Sequence, residues 1–567
     1  MRTGATLGAV TALGGGRIAS HLEGSTAPVH PGRVLQSPDF VLRGAVLLDG
    51  TGAPGREADV AVVGDRIAAI GRVDRSGASE IDLAGLVLAP GFIDIHSHAD
   101  LSLLVNPRAE SRIRQGVTTE VVGQDGSSIG PWSDETFEET KDRYRGQYGV
   151  DIDFRDVGGF LDRLDRDGPA VNLATMVGHG TIRGTVVGAA DRPAQPDELA
   201  RMTRMVEQAL AAGAVGLSSG LEYTPGGFAS PAELVELARP LSGTGLPYAS
   251  HMRNEDDRLL AAVEEALHVG RMARVPVQIS HLKAQGERNW WKAATVLGAV
   301  EQARSAGIDV HFDRYPYVAY ATGLSNLFPS WARDGGTAAF LRRLADPSER
   351  ERLELYCRDK VALLGSWDAV QISSTRSGRN RWAEGGRLGE LARERGEDPY
   401  DLTVHLLIEE NNAVGMIGFG MSEENTARIL SHPLAMVCSD GGAFAPYGPL
   451  SGGSPHPRAY GSFPRLLGHY VRERGDLTLE SAVHKVTGMP AAKLGLEGRG
   501  LLTVGAFADL VAFDPDTVAD GATFTEPHAY PSGIPLVAVN GVVTIRDGEQ
   551  TGLLGGRAIR GPAHRGS

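Results

Sequence analysis

Apolar positions along this chain follow two different periods. Near the start, alternation at every second residue runs through Phe40–Gly50 and Ala58–Gly71, with Asp49-Gly50 and Gly64-Asp65 as hairpin signals. The same alternation returns at Gly505–Asp514 and Leu536–Val543. Isolated strands cannot bury a face, so both groups are expected to complete one small discontinuous β domain over 36–90 and 497–550. Between them lie eight apolar runs, at 91–98, 118–126, 171–180, 214–223, 247–255, 275–286, 308–317 and 435–443. Segments of helical period separate several of these, for example Asp197–Ala211 and Asp256–Met272. Eight alternating strand–helix units predict an α/β chain folded as a TIM-like (β/α)8 barrel over 91–496, with working residues at the C-terminal strand ends. A doubly wound open sheet gathers such residues at one switch point, whereas here polar residues close most of the runs.

The interval 318–434 is much longer than the other crossovers. It carries helical stretches of its own at Ala338–Leu344 and Ser348–Arg358 and strand-like runs at Ala369–Ser373 and Val414–Gly420. It is expected to form a lid-like subdomain inserted before the last barrel strand. Residues 1–35 read as an extension or a signal remnant, because the weak apolar stretch Thr3–Leu13 follows a single Arg2. A cytoplasmic location is the expectation and export the alternative. Residues 551–567 read as a tail.

Composition narrows the class. The 567 residues, 42% of them apolar, are enough for more than one domain. A formal charge of −14 and a pI near 5.6 argue against nucleic acid or an anionic membrane as partner. Two cysteines, Cys357 and Cys438, exclude a disulfide framework and a thiolate-rich zinc site. No apolar run approaches the length of a membrane span.

The ends of the runs carry the candidate chemistry. The first closes on His96 and His98, whose i, i+2 spacing turns both to one face of a strand. The second offers Asp125, the third His179, the fourth Glu222 and Tyr223, the fifth His251, the sixth His281 and Lys283, and the eighth Asp440. One histidine at a strand end is more often a hydrogen-bonded structural residue, and His179 taken alone would be so read. The joint pattern is different, because random placement would scatter the 16 histidines through helices and loops. His96, His98, His251 and His281 with Asp125 suit a nitrogen–oxygen site for Zn²⁺ or a similar ion. Asp440 on the last strand suits a general base and acid.

Gly91–Asp100 resembles the first-strand signature of the amidohydrolase superfamily. Val177–Arg183, Gly220–Tyr223, Ser280–Lys283, Tyr315-Pro316-Tyr317, Cys438–Gly441 and His456–Arg465 are similar to motifs of the N-acyl-D-amino-acid deacylases, the D-aminoacylase family. The likeness spans Phe40 to Asp547. It implies a metal-dependent hydrolase barrel with a small β-sandwich, zinc, and hydrolysis of the amide bond of N-acyl-D-amino acids. Carried over to these positions, His251 and His281 would hold the tight zinc, while His96 and His98 would line a second, weaker position. Asp440 would be the catalytic acid and base, and Lys283, Tyr315 and Arg458 would grip the substrate carboxylate. Glu222, Tyr223 and His179 would lie on the substrate side. The implied partner is a small molecule, with oligomeric state open.

One position departs from the family pattern. Several members carry a cysteine ligand near the end of strand two, where this chain has Gly123-Gln124-Asp125-Gly126. Asp125 is the natural substitute, since a carboxylate can bind one metal or bridge two. Cyclic-amide hydrolases of the dihydroorotase or hydantoinase kind are the alternative. They often carry a bridging carboxylated lysine at the end of strand four, where this chain reads Ser218-Ser219-Gly220-Leu221-Glu222. A metal-free binding protein on a degenerate barrel would not need all five ligands and Asp440.

Overall fold

The computed structural model describes residues 38–74 and 78–565; the segment 1–35, with its signal reading, lies outside the described residues. All eight expected runs form barrel strands: Phe92–Asp94, Val117–Val122, Asn172–Thr175 continued by Val177–Gly178, Leu217–Gly220, Tyr248–His251, Val277–Ile279, Val310–Arg314 and Ala435–Val437. Each pairs in parallel with its sequence neighbour. The third strand breaks at Met176, its first part pairing with strand two and its second with strand four. Strands one and eight close the ring through Asp440 N–H donating to His96 O at 2.8 Å and His98 N–H donating to Gly441 O at 3.0 Å. The residues that close the barrel are therefore also the candidate site.

Local chemistry explains the outer helices. Pro196–Ala211 begins with Pro196 in its first turn and Glu198 reaching back to the Gln195 N–H at 2.8 Å. It buries Met202, Val206, Ala209 and Leu210, one apolar stripe at helical spacing. Inside the barrel, Ile93, Ile95, Val121, Met176, Ala249, Met436 and Cys438 pack in one cluster with Tyr315 and Tyr317. Cys438 is thus a core residue, and Cys357 is buried in a helix of the insertion.

Both ends of the chain meet in one nine-stranded sheet, joined where Leu510–Phe513 runs antiparallel to Val87–Pro90. The sheet folds over a core that includes Leu42, Val60, Leu88, Leu510 and Leu536. The hairpin of Leu536–Val539 with Val542–Arg546 turns on Asn540 (φ 48°) and Gly541 (φ 79°), the two-residue left-handed turn that an Asn-Gly pair favours. The C-terminal segment is bound rather than free: Ile559 N–H donates to Leu173 O at 2.8 Å and Gly561 N–H to Gly213 O at 2.9 Å, on the N-terminal side of strands three and four.

The interval after Val318 forms a three-stranded antiparallel sheet, Ala319–Gly323, Val414–Phe419 and Val370–Thr375, flanked by helices Gly336–Ala345, Arg350–Leu364, Leu388–Arg395 and Pro399–Glu409. The helix that ends the interval, Glu423–Ser431, packs instead on the last two barrel strands.

Arg112 clamps the barrel closure. Fully buried, it donates to Gly441 O and to Ala459 O (3.3 Å), and its guanidinium lies 3.9 Å from Asp94 and 3.5 Å from Glu120. Removing one partner of a buried ion pair leaves an uncompensated charge, which typically costs about 3–5 kcal/mol. Arg112→Met should therefore lower the unfolding free energy by about that amount, read from the denaturant midpoint.

Candidate metal centre and active site

Four imidazoles converge on the Asp125 carboxylate. His96 Nε2 lies 3.4 Å from Oδ1, while His98 Nε2, His251 Nδ1 and His281 Nε2 lie 3.4, 3.4 and 3.5 Å from Oδ2. Asp440 Oδ1 is 3.1 Å from His98 Nε2 and 3.6 Å from His96 Nε2. Two candidate ligand sets result, His96–His98–Asp125–Asp440 and Asp125–His251–His281, with Asp125 common to both. Glu222, His251 and Glu255 also approach one another, but lysines already balance both glutamates.

The chemistry of the donors tests whether a metal fits. Most of these separations exceed an ordinary hydrogen bond. Both nitrogens of His96, Asp125 Oδ1 and His251 Nδ1 are buried with no hydrogen-bond partner. Buried orphans are rare in proteins, and imidazole nitrogens and carboxylate oxygens facing one centre are the donor set of a divalent cation. The donors fit such an ion.

Electrostatics say the same. Burial would lower His98 and His251, yet the carboxylates of Asp125, Asp440 and the nearby glutamates outweigh it and hold them at about 9 and about 10. Burial would raise Asp125 and Asp440. The surrounding imidazoles keep Asp125 well below the usual carboxylate range, and Arg458 together with imidazoles does so for Asp440. The cluster demands positive charge, which protons supply to the bare protein and a divalent ion would supply in their place.

The backbone at these positions is held away from its ordinary conformation. Asp125 (φ 53°), His281 (φ 34°) and Asp440 (φ 51°) all lie in the left-handed region, at about 1–3 kcal/mol each. Such conformations persist only where the surroundings impose them. His281 N–H donates to Asp313 Oδ1 at 2.7 Å, and Asp440 is held by the barrel closure. Glycines hold Asp125: a Cβ on Gly220 would stand 2.0 Å from Asp125 O, and one on Gly178 2.4 Å from Gly126 O. The glycines that close runs three and four admit the loop of strand two.

The remaining expected residues divide. A cavity of about 500 Å³ opens over the cluster, lined by His98, Asp125, Glu222, Tyr223, His251, His281, Lys283, Tyr315, Asp440 and Arg458. Arg458 Nη1 donates to Asp440 Oδ2 at 2.7 Å. The Tyr315 hydroxyl is buried without a partner. Tyr223 OH accepts from Thr322 in the insertion at 3.2 Å. Lys283 Nζ is already held by Glu255 Oε1 at 2.5 Å and by His281 O at 3.0 Å.

His179 is the correction. The third run ends at Gly178, and His179 begins the helix His179–Val186. It is fully buried outside the cavity lining, with Nε2 2.9 Å from Glu233, which also takes Arg183. A strand-end motif was mistaken for a substrate contact because the chain turns away one residue earlier.

Sequence reasoning did not single out Asp313, Glu255 or Lys360. Asp313 lies on the seventh strand and Glu255 closes run five just past its strand, and carboxylates at these places were a usable signal. Lys360 lies on the insertion helix Arg350–Leu364, where no local pattern points at the barrel.

Comparison with known proteins places the chain. The profile described as the amidohydrolase family matches residues 79–239 and 403–545. A D-aminoacylase of Alcaligenes xylosoxydans xylosoxydans is 40% identical over 535 residues, covering 92% of this chain and 97% of its own. An N-acyl-D-glutamate deacylase of Bordetella bronchiseptica, solved with zinc and a phosphonate mimic of the tetrahedral intermediate, is 35% identical with a TM-score of 0.78, covering 93% of this chain and all of that one. A D-aminoacylase studied for its binuclear metal centre is 38% identical with a TM-score of 0.77, over 92% of this chain and all of that one. The chain belongs to the metal-dependent amidohydrolase family, in its branch of N-acyl-D-amino-acid deacylases.

The glycine contact gives a test that substitutes none of the candidate ligands. Gly220→Ala should displace Asp125 and abolish tight metal binding as fully as His281→Ala does. Metal content after dialysis checks it, and a fully loaded Gly220→Ala protein would show that Asp125 tolerates the shift.

Proposed function

We propose that this chain is a zinc enzyme that hydrolyses N-acyl-D-amino acids to a D-amino acid and a carboxylate. The observation that carries the reading is one cavity holding both the Asp125-centred ligand cluster and Arg458, with Asp440 joining the two. The D configuration and the N-acyl substrate rest on the relatives. A hydantoinase-like reading is not favoured, because Asp125 occupies the bridging place and strand four ends in Ser218-Ser219-Gly220.

Asp125, His251 and His281 would hold the tight zinc, and His96 and His98 would line a second position beside Asp125. A divalent ion there supplies Lewis acidity, polarising the amide carbonyl and acidifying an attacking water. The protein's own groups do the rest. Asp440 takes the proton from that water as the new C–O bond forms, then passes it to the amine nitrogen as the C–N bond breaks. Arg458 has donors to spare beyond its bond to Asp440, and with the unpartnered Tyr315 hydroxyl it can take the substrate α-carboxylate. Lys283 adds positive charge beside them, although Glu255 already holds its ammonium. Tyr223 and Glu222 line the same cavity.

A panel of N-acyl-D- and N-acyl-L-amino acids tested on zinc-loaded protein decides the reading, and failure to hydrolyse any D substrate would sink it. Asp440→Asn keeps the size of the side chain but cannot take the proton. It should retain metal and substrate binding while kcat falls about a hundredfold or more. Near-normal turnover would remove Asp440 as the proton carrier, and loss of metal would make it a ligand instead.

Arg458→Met removes a charge-assisted hydrogen bond of about 1.5–3 kcal/mol. KM should rise about ten- to a hundredfold. kcat should fall too, because Asp440 loses the partner that orients it. Unchanged steady-state constants on an N-acyl-D-amino acid would place the carboxylate elsewhere.

A further inference from the structure

The two histidines assigned to the tight metal are supported by a matched pair of ion pairs. His281 turns Nε2 to Asp125, while its Nδ1 lies 2.6 Å from Lys283 Nζ and 3.0 Å from Glu255 Oε1, and Glu255 is held by Lys283 at 2.5 Å. His251 turns Nδ1 to Asp125 and Nε2 to Glu222 Oε2 at 3.3 Å, and Glu222 Oε1 faces Lys360 Nζ at 3.4 Å. Each ligand histidine is therefore backed by a glutamate and each glutamate by a lysine. The first pair lies wholly on barrel segments. The second does not, because Lys360 belongs to the inserted subdomain.

We infer that Lys360 is a positioning residue for the metal centre, through which the insertion sets the orientation of His251. Lys360 is 8% exposed and its other partner is Asp256 Oδ2 at 2.7 Å, so its ammonium is fixed between two carboxylates. The insertion also holds the main chain of the same residue, since Arg333 Nη2 donates to Glu222 O at 3.2 Å. Glu222 is thus pinned at both ends by the subdomain and left one oxygen for His251. Its other oxygen, Oε2, faces His251 Nε2 as the acceptor for the imidazole N–H. A ligand histidine keeps its tautomer and ring angle through the acceptor behind it, and losing such an acceptor typically weakens metal binding or activity about 10–100-fold.

The inference rests on the proposed metal centre, and the test separates the two. Zinc affinity is measured by chelator competition for wild type, Lys360→Met and Lys360→Arg, alongside the visible spectrum of the cobalt-substituted proteins. Lys360→Met should bind zinc about tenfold or more weakly. It should shift the cobalt bands and lower kcat with little change in KM, while Lys360→Arg, which keeps the charge, restores most of each. Glu222→Gln on top of Lys360→Met should add little, because both act through His251. Should Lys360→Met fail to fold, Lys360→Met with Asp256→Asn removes one charge of each sign and carries the same comparison. Wild-type zinc affinity and an unshifted cobalt spectrum in the folded variant overturn the role of Lys360 alone. A wild-type protein that binds no metal overturns the metal centre itself.

Discussion

Everything at the strand-end face depends on charge balance around one buried carboxylate. Asp125 sits among four imidazoles, with Asp440, Glu222 and Glu255 just beyond them. In a low-dielectric interior such a group of anions needs compensating positive charge within a few ångströms. Arg458, Lys283 and Lys360 each neutralise one outer carboxylate, on Asp440, Glu255 and Glu222. Asp125 has no such cation, only imidazoles. That makes it the position where a divalent ion is best accommodated, and the one carboxylate common to both ligand sets.

The fold is shaped to keep that carboxylate in place. Asp125, His281 and Asp440 depart from their strands in left-handed conformations that cost energy unless neighbours impose them. Barrel closure imposes Asp440, the Asp313 carboxylate imposes His281, and the bare backbone of Gly220 admits Asp125. The glycines of runs three and four thus serve the site by steric absence, leaving room for the main chain that carries Asp125.

The inserted subdomain does more than cover the cavity. Its first strand supplies Ala321 O and Thr322 to Arg458 and Tyr223, and its helices supply Arg333 and Lys360 to Glu222. Arg458 in turn bonds directly to Asp440, so the carboxylate anchor and the proton carrier of the proposed mechanism would be one linked pair. Short polar contacts thus join three parts of the chain around the cavity.

The barrel was legible in the sequence because burial on both faces writes a parallel strand as a continuous apolar run, and all eight runs became strands. The terminal sheet was legible because alternation and the Gly64-Asp65 turn are local signals, although the run Leu536–Val543 proves to be two strands that turn at Asn540-Gly541. The ligands were legible because barrel topology brings every strand end to one face, so His96, His98, Asp125, His251, His281 and Asp440 could be gathered by their place in the runs alone. Tertiary structure decided what depends on the next shell outward. His179 carried the right spacing, but the chain turns into a helix there and Glu233 takes its ring nitrogen. Lys283 stands at the site as expected, but its pairing with Glu255, 28 residues earlier, is set by the fold alone. Lys360 lies on an amphipathic helix with no local mark of function, and only the packing of the insertion brings its ammonium to Glu222. Period and composition record which residues are buried and on which element, whereas the partner of a buried charge is set by contacts between elements far apart in the chain.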